Sequence, residues 1–128
     1  MSNTVYHFTI KGVPIGKPRQ TRRDIWKKRD CVLRYRAWAD SARMQAPRDL
    51  PAQPVSVEWI AYMPMPESWS AKKKQAMAGL LHRTKPDRDN IDKAICDALW
   101  KDDQCIAIGR QEKRYDDGEG PRLKMVVE

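Results

Sequence analysis

One amphipathic segment decides the fold of this chain: residues 85–100, which read KPDRDNIDKAICDALW. Its apolar residues follow the i, i+3, i+4, i+7, i+8 spacing of a buried helix face: Ile91, Ala94, Ile95, Ala98 and Leu99. Asp89, Lys93 and Asp97 follow one another at intervals of four residues and fall on the opposite face. We therefore predict a helix over Asn90–Trp100 with one apolar and one charged side, and Asp87 in a loop just before it.

The remaining patterns predict strands and helices alternating around this segment. Strand periodicity marks Tyr6–Ile10, Val55–Tyr62, a run that begins at Ile106 and Ile108 and extends towards Tyr115, and Leu123–Val127. Helices are predicted over Val32–Ala46, with Leu33, Tyr35, Ala39 and Ala42 as core candidates, and from the N-cap Ser70 to about Leu81. Asp116–Gly120 is typical of a hairpin connection, so the last two strands are predicted to pair antiparallel. The order β-α-β-α-α-β-β predicts an α/β (α+β) domain in which three helices pack on a small mixed sheet.

Length and charge define the class of protein. The chain has 128 residues, the size of one domain, and we take residues 1–128 as a single unit with a basic loop at about 17–30. The net charge of +8 favours a polyanionic partner, nucleic acid before an anionic membrane surface. No apolar run approaches the roughly 20 residues of a membrane-spanning helix and no signal-peptide core is present, so a cytoplasmic location is expected. The cysteines have no CxxC spacing, which indicates neither a disulfide framework nor a zinc site.

The acidic residues around the predicted helix indicate a metal site. Like charges repel unless cations neutralise them, and a hard cation such as Mg²⁺ takes carboxylate oxygens as ligands. Asp87 and Asp89 could share one ion, with Asp102 or Asp103 supplied from the segment before the next strand. Lys93 could orient the attacking water or offset charge on the reacting phosphate. An acidic cluster within a basic chain therefore predicts a metal-dependent nuclease.

Simpler interpretations of these acids stay open. Asp89 could be a helix N-cap or form an ordinary i, i+4 ion pair with Lys93, and Asp102 with Asp103 could be a solvated turn. A calcium EF-hand loop is excluded, because Asp92 stands where that loop needs a glycine. The simpler interpretations do not explain why these groups converge on one side of one helix.

Basic residues are candidate contacts to DNA phosphates: Lys17, Arg19, Arg22, Arg23, Lys85 and Arg88. Trp26, within the basic loop, could stack on an unpaired base or pack at a dimer contact. Trp38 and Trp59 are expected in the core, and Cys96 and Cys105 are expected to be small buried residues.

The same residues carry a resemblance to a known family. The pattern KPDxDNxxKxxxDAL at residues 85–99, followed by Asp102 and Asp103, resembles the core motif of the RusA family of Holliday junction resolvases, common in prophages. The loop Gly12–Arg19 and the passage Ser68–Ser70 resemble other segments of that family, so the similarity covers most of the chain.

The resemblance implies that Asp87, Asp89 and Asp103 are the metal-binding carboxylates and that Lys93 is the catalytic lysine. It further implies a homodimer with a mixed α/β fold, Mg²⁺ dependence and paired symmetric nicks in four-way DNA junctions. This sequence departs from the family pattern near the acidic pair, where the link from the helix is shorter and the following glutamine stands one place early. These departures leave the choice between Asp102 and Asp103 open, and we take Asp103 as the primary third ligand and Asp102 as the second choice.

Two rival functions use the same residues differently. A non-catalytic basic DNA-binding protein would use its aspartates only as caps and ion-pair partners, and would bind DNA with or without Mg²⁺. A metal nuclease of another target would cut flaps or single strands, because the motif specifies the chemistry better than the shape of the substrate.

Overall fold

The computed structural model describes residues 4–18 and 30–128 of the chain. In chain order, these residues form strand β1 (Tyr6–Lys11), helix α1 (Asp30–Gln45), strand β2 (Val57–Met63), helices α2 (Ala71–Met77) and α3 (Arg88–Leu99), and strands β3 (Gln111–Tyr115) and β4 (Arg122–Val127). The predicted element order and the small α+β domain, with three helices and a four-stranded mixed sheet, are confirmed. None of the helices in these ranges is long and apolar enough to cross a membrane.

β4 lies inside the sheet, whose strand order is β1-β4-β2-β3. It runs antiparallel to both neighbours, and Val127 lies opposite Tyr6 on one side and Val57 on the other. β3 lies at the edge and runs parallel to β2, with Tyr115 opposite Met63. The prediction that the last two strands form an antiparallel hairpin is therefore wrong.

The connection from β3 to β4 crosses the end of β2 instead of turning back tightly. Because β3 is parallel to β2, both strands end at the same edge, and β4 enters on the far side of β2. The Arg122 guanidinium donates to the Asp117 carboxylate at 3.1 and 3.2 Å and lies 4.0 Å from the centre of the Tyr62 ring. Asp116 accepts from the main-chain N–H of Gly120 at 2.9 Å. Acidic and glycine residues that are typical of a hairpin therefore form a wider crossing loop around Arg122.

β3 also begins later than predicted, at Gln111 rather than near Ile106. Ile108 is 58% exposed and forms only an isolated parallel bridge with Ser56. Gly109 passes so close to β2 that an added Cβ would lie 2.7 Å from a carbonyl oxygen of that strand. Regular pairing starts only after this close approach, which the periodicity of the two isoleucines does not reveal.

α1 and α3 pack on one face of the sheet and form the core with it. The buried residues of α1 are Val32, Tyr35, Ala39 and Ala42. This spacing places Leu33 on the outer side, where it is 43% exposed, so its prediction as a core residue is wrong. The buried residues of α3 are Ile91, Ala94, Ile95, Cys96 and Ala98, which confirms the apolar face of that helix. Trp59 is buried in this layer and Trp38 packs against it, as predicted.

The second helix begins where predicted and ends earlier. The hydroxyl of Ser70 accepts from the main-chain N–H of Lys73 at 3.2 Å, which confirms Ser70 as the N-cap. The helix ends at Met77 rather than near Leu81. Gly79 follows with a φ of 75°, a left-handed conformation that favours glycine and ends helices.

The chain after α2 then runs along the outer edge of β3. The main-chain N–H of Tyr115 donates to the carbonyl of Leu80 at 2.8 Å, and that of His82 donates to the carbonyl of Lys113 at 2.9 Å. These contacts bring residues 83–87 beside β3 and lead the chain directly into α3.

Candidate active site

Asp87 and Asp89 lie at the exposed N-terminus of α3. Asp87 occupies the N-cap position, and its main-chain carbonyl accepts from the N–H of Asn90 at 3.1 Å. The Asp87 carboxylate makes no capping hydrogen bond. Asp89 lies inside the first turn, so the interpretation of Asp89 as the N-cap is wrong. Two exposed carboxylates therefore lie beside the positive end of the helix dipole. The Asp87 carboxylate is not occupied by a capping hydrogen bond.

Both carboxylates line an open cleft of about 490 Å³ between the start of α3 and strand β3. The other polar residues of the cleft are His82, Arg83, Arg88, Gln111, Glu112 and Lys113. Acidic and basic side chains thus share one concave surface, as a site for a cation and a phosphate together requires.

Glu112 and His82 also lie in the cleft, and their surroundings lower the pKa of each. Arg114 and Arg110 contact the Glu112 carboxylate at 3.0 and 2.7 Å, and the hydrogen bond from Arg114 is the main reason that its pKa is lowered. Burial, and then the charge of Lys113, lower the pKa of His82 below its usual value. Among the residues described here, the cleft carboxylates without an arginine partner are those at the start of α3.

Lys113 reaches from β3 to the loop that precedes Asp87. Its Nζ donates to the carbonyl oxygens of Thr84 and Pro86 at 2.5 and 2.7 Å. Burial lowers the pKa of Lys113, while the neighbouring charge of Asp87 raises it. Sequence reasoning missed Lys113 and Glu112, because the pattern of β3 indicates strand residues and gives no sign of their partners.

The charged face of α3 contains a lysine and an ion pair. Lys93 is exposed and pairs with no carboxylate within residues 4–18 and 30–128, so the interpretation as an Asp89–Lys93 ion pair is wrong. Asp97, one turn further along, instead accepts from the ammonium group of Lys17. The same ammonium group lies 5.5 Å from the centre of the Tyr35 ring.

The loop before the basic segment docks on α3. The main-chain N–H of Lys17 donates to the carbonyl of Asn90 at 3.2 Å. Gly16 lies so close to this helix that an added Cβ would be 2.6 Å from Nδ2 of Asn90. Lys17, predicted as a DNA contact, is thus held against the helix, and a DNA phosphate would compete with Asp97 for its ammonium group.

Lys17→Met and Asp97→Asn should each lower the free energy of unfolding by roughly 1 kcal/mol, because both side chains of the pair are less than a third exposed. The double variant should lose less than the sum of the two, since either change alone breaks the same contact. Urea unfolding followed by circular dichroism measures all three values. Lys11→Met, at an exposed lysine of β1, is the control. Full additivity of the two changes would show that the pair contributes nothing.

Asp102 and Asp103 lie in the loop after α3 and differ in their contacts. The Asp102 carboxylate accepts from the main-chain N–H of Gln104 at 3.1 Å, so it is partly used to form the turn. Asp103 lies near Cys96 of α3, whose pKa is raised to about 12 by burial and then by the charges of Asp92, Asp103 and Asp97. Cys96 is buried as predicted, whereas Cys105 is only partly buried.

The structure does not assemble all predicted ligands in one place. In the parts of the chain that it describes, no three Asp, Glu, His or Cys side chains lie close enough together to hold one metal ion. Asp103 therefore does not form a preassembled group with Asp87 and Asp89. Of the predicted DNA contacts, Lys85 and Arg88 are exposed on either side of Asp87. Arg19, Arg22, Arg23 and the possible stacking residue Trp26 lie outside the described residues.

Asp87 and Asp89 nevertheless fit a hard divalent cation. Mg²⁺ usually keeps several waters and is held by one or two carboxylates together with substrate phosphate oxygens, so a cage of three protein ligands is not needed. Two exposed carboxylates at the start of α3, one at the N-cap without a capping bond and one in the first turn, meet this requirement. The basic residues in the same cleft suit the phosphate.

An α+β domain whose cleft is lined by both acidic and basic side chains suits an enzyme that acts on nucleic acid phosphates. The chain belongs to the RusA endodeoxyribonuclease family, whose model matches residues 11–128. It is also 34% identical over 134 aligned residues to the uncharacterized protein YqaN of Bacillus subtilis strain 168, an alignment that covers 94% of this chain and 93% of that protein. The family match confirms the resemblance seen in the sequence and makes the chain a member of a family of nucleases that act on DNA.

Proposed function

We propose that this chain is a Mg²⁺-dependent, structure-specific endodeoxyribonuclease that resolves four-way DNA junctions by paired symmetric hydrolysis. The observation that carries the proposal is the pair Asp87 and Asp89, exposed in a cleft at the start of α3, in a chain of the RusA family. A carboxylate at an N-cap position that makes no capping bond contributes less to folding than it could, which favours a role in binding a ligand.

Asp87 and Asp89 would hold the ion, with Asp103 as the third ligand. Asp102 is the second choice, because its carboxylate already accepts from the main chain of its own turn. When bound, Mg²⁺ supplies an activated water and stabilises charge on the reacting phosphate. Because the described residues do not bring Asp103 to Asp87 and Asp89, Asp103 would join the coordination only when the ion and the substrate are bound, and the substrate phosphate and waters would complete it.

The remaining roles fall to basic residues. Lys93, exposed on the face that carries Asp89, would orient the attacking water or offset charge on the phosphate. Lys85 and Arg88, beside Asp87, would contact the phosphates that flank the cut. Arg19, Arg22 and Arg23, together with Lys17 if it leaves its ion pair, would extend the contact along the DNA.

The working unit would be a homodimer. A four-way junction presents two equivalent strands, whereas the described residues of one chain carry the Asp87–Asp89 cleft once. Two-fold symmetry would place a second cleft opposite the first, so that both nicks fall within one binding event.

Cleavage assays on matched substrates should separate this proposal from its rivals. Labelled four-way junction, linear duplex and flap DNA are each incubated with the protein in Mg²⁺ or in EDTA. The junction should be cut in Mg²⁺ alone, and a plasmid with an extruded cruciform should be converted mainly to linear product. Binding without cutting under all conditions would favour the non-catalytic DNA-binding protein, and cutting of flaps in preference to junctions would favour the other nuclease. Nicked circles from a protein that stays monomeric on DNA would contradict the paired mechanism.

A further inference from the structure

The side chain of Lys113 joins the edge strand of the sheet to the loop that carries Asp87. We propose that Lys113 is a positioning residue, which fixes residues 84–86 and thereby sets the place of the Asp87 carboxylate. This role rests on the proposed function, because it matters for activity only if Asp87 takes part in the reaction.

Main-chain and side-chain groups of Lys113 hold neighbouring parts of the same segment. Its carbonyl accepts from the main-chain N–H of His82 at 2.9 Å. Its Nζ donates to the carbonyls of Thr84 and Pro86 at 2.5 and 2.7 Å. The chain is thus tied to one strand residue at 82, 84 and 86, and the next residue is Asp87. An ammonium group has three N–H donors, and two of them are used here.

The segment has few other hydrogen bonds to the rest of the fold. Residues 83–86 make no main-chain to main-chain hydrogen bond with the rest of the described chain. The hydroxyl of Thr84 lies 3.2 Å from Nε2 of His82, a contact within the segment itself. Without the lysine, the two carbonyls would lose their donor, and the backbone before Asp87 would be held mainly at its ends.

The charge of Lys113 favours a positioning role over a direct contribution to metal affinity. Burial lowers the pKa of Lys113 while the charge of Asp87 raises it, so the ammonium group lies near the Asp87 carboxylate. A cation at that point repels Mg²⁺ and by itself weakens metal binding. The charge of Lys113 would repel the metal ion, but its ammonium group donates two hydrogen bonds to the loop. We therefore infer that Lys113 acts by placing the Asp87 carboxylate.

The test compares Lys113→Met with Lys124→Met by hydrogen exchange and by kinetics. Methionine keeps the length of the side chain and removes its donors. Lys124 is an exposed lysine of β4, whose side chain contacts the Tyr62 ring and not this loop, so it is a matched control. In Lys113→Met, amide exchange at His82, Asn90 and Ile91, whose N–H groups are hydrogen-bonded on either side of this segment, should become faster, with exchange in the strands of the sheet unchanged. The rate constant kcat at saturating Mg²⁺ and saturating junction DNA should fall about 10- to 100-fold, the range expected when a reacting group is misplaced by up to 1 Å. Lys124→Met should leave both quantities at the wild-type value.

The outcomes separate failure of this inference from failure of the proposed function. Unchanged exchange at His82, Asn90 and Ile91, or a wild-type kcat in Lys113→Met well below its melting temperature, would overturn the positioning role and leave the nuclease proposal intact. Tighter Mg²⁺ binding together with a wild-type kcat would show that Lys113 acts only through its charge. If the wild-type protein cuts no DNA, the proposed function fails, and the exchange measurement still decides whether Lys113 fixes the loop.

Discussion

Asp87→Asn and Asp89→Asn should each reduce cleavage of a four-way junction by more than about a hundredfold. Loss of a group that merely supports a metal ligand already costs roughly 10- to 100-fold, and these carboxylates are proposed as the ligands themselves. Folding should be preserved, because Asp87 makes no capping bond and asparagine is an equally good N-cap residue. Junction binding in EDTA should stay equal or become tighter, since each change removes a negative charge that faces phosphate. Single-turnover cleavage and a gel-shift titration measure the two quantities.

Asp40→Asn provides the matched control for this experiment. Asp40 is an exposed carboxylate of α1 that pairs with Arg43 at 2.7 Å, away from the start of α3. The same change at Asp103 should resemble the two site variants, whereas Asp102→Asn should have the smaller effect, because the side chain of Asp102 serves its own turn. A wild-type cleavage rate in any one variant removes that residue from the site. Loss of both cleavage and folding in Asp87→Asn would instead show a structural role.

The helix that carries the site could be predicted because its information is local. Ile91, Ala94, Ile95 and Ala98 specify one buried face whatever packs against them, and Asp89 and Lys93 must then face outwards. The charged residues of the family motif that lie in the helix are on this outward face, so the residues of the candidate site could be named from the sequence. The helix pattern could not reveal which carboxylates form ion pairs with residues from other elements, as Asp97 does with Lys17.

The errors concern contacts between distant parts of the chain. The loop from Asp116 to Gly120 has the composition of a hairpin turn, yet β4 pairs with β1 and β2 and not with β3. The choice depends on the parallel pairing of β3 with β2, which no local pattern encodes. Lys113 was missed for the same reason, because its two carbonyl partners lie 27 and 29 residues earlier in the chain.

Lys93→Ala should lower kcat roughly 100-fold at saturating DNA, the size of effect seen when one group that stabilises charge in a transition state is removed. Within the described residues, Lys93 is exposed and has no ion-pair partner, and Asp97, one turn further along the helix, is already paired with Lys17. Its charge is therefore available to the water or the phosphate. Lys93→Arg keeps the charge and should retain more activity than the alanine variant.

Thermal stability decides whether a loss of rate at Lys93 is catalytic. Alanine has the highest helix propensity, so replacing an exposed lysine that makes no ion pair should leave the melting temperature unchanged or slightly higher. Lys72→Ala, at an exposed lysine of α2, should leave both kcat and melting temperature near the wild-type values. A Lys93→Ala protein that melts lower and cuts normally would show a structural ion pair in solution. One that melts normally and cuts slowly would place the ammonium group in the chemistry, because no contact within the described fold depends on it.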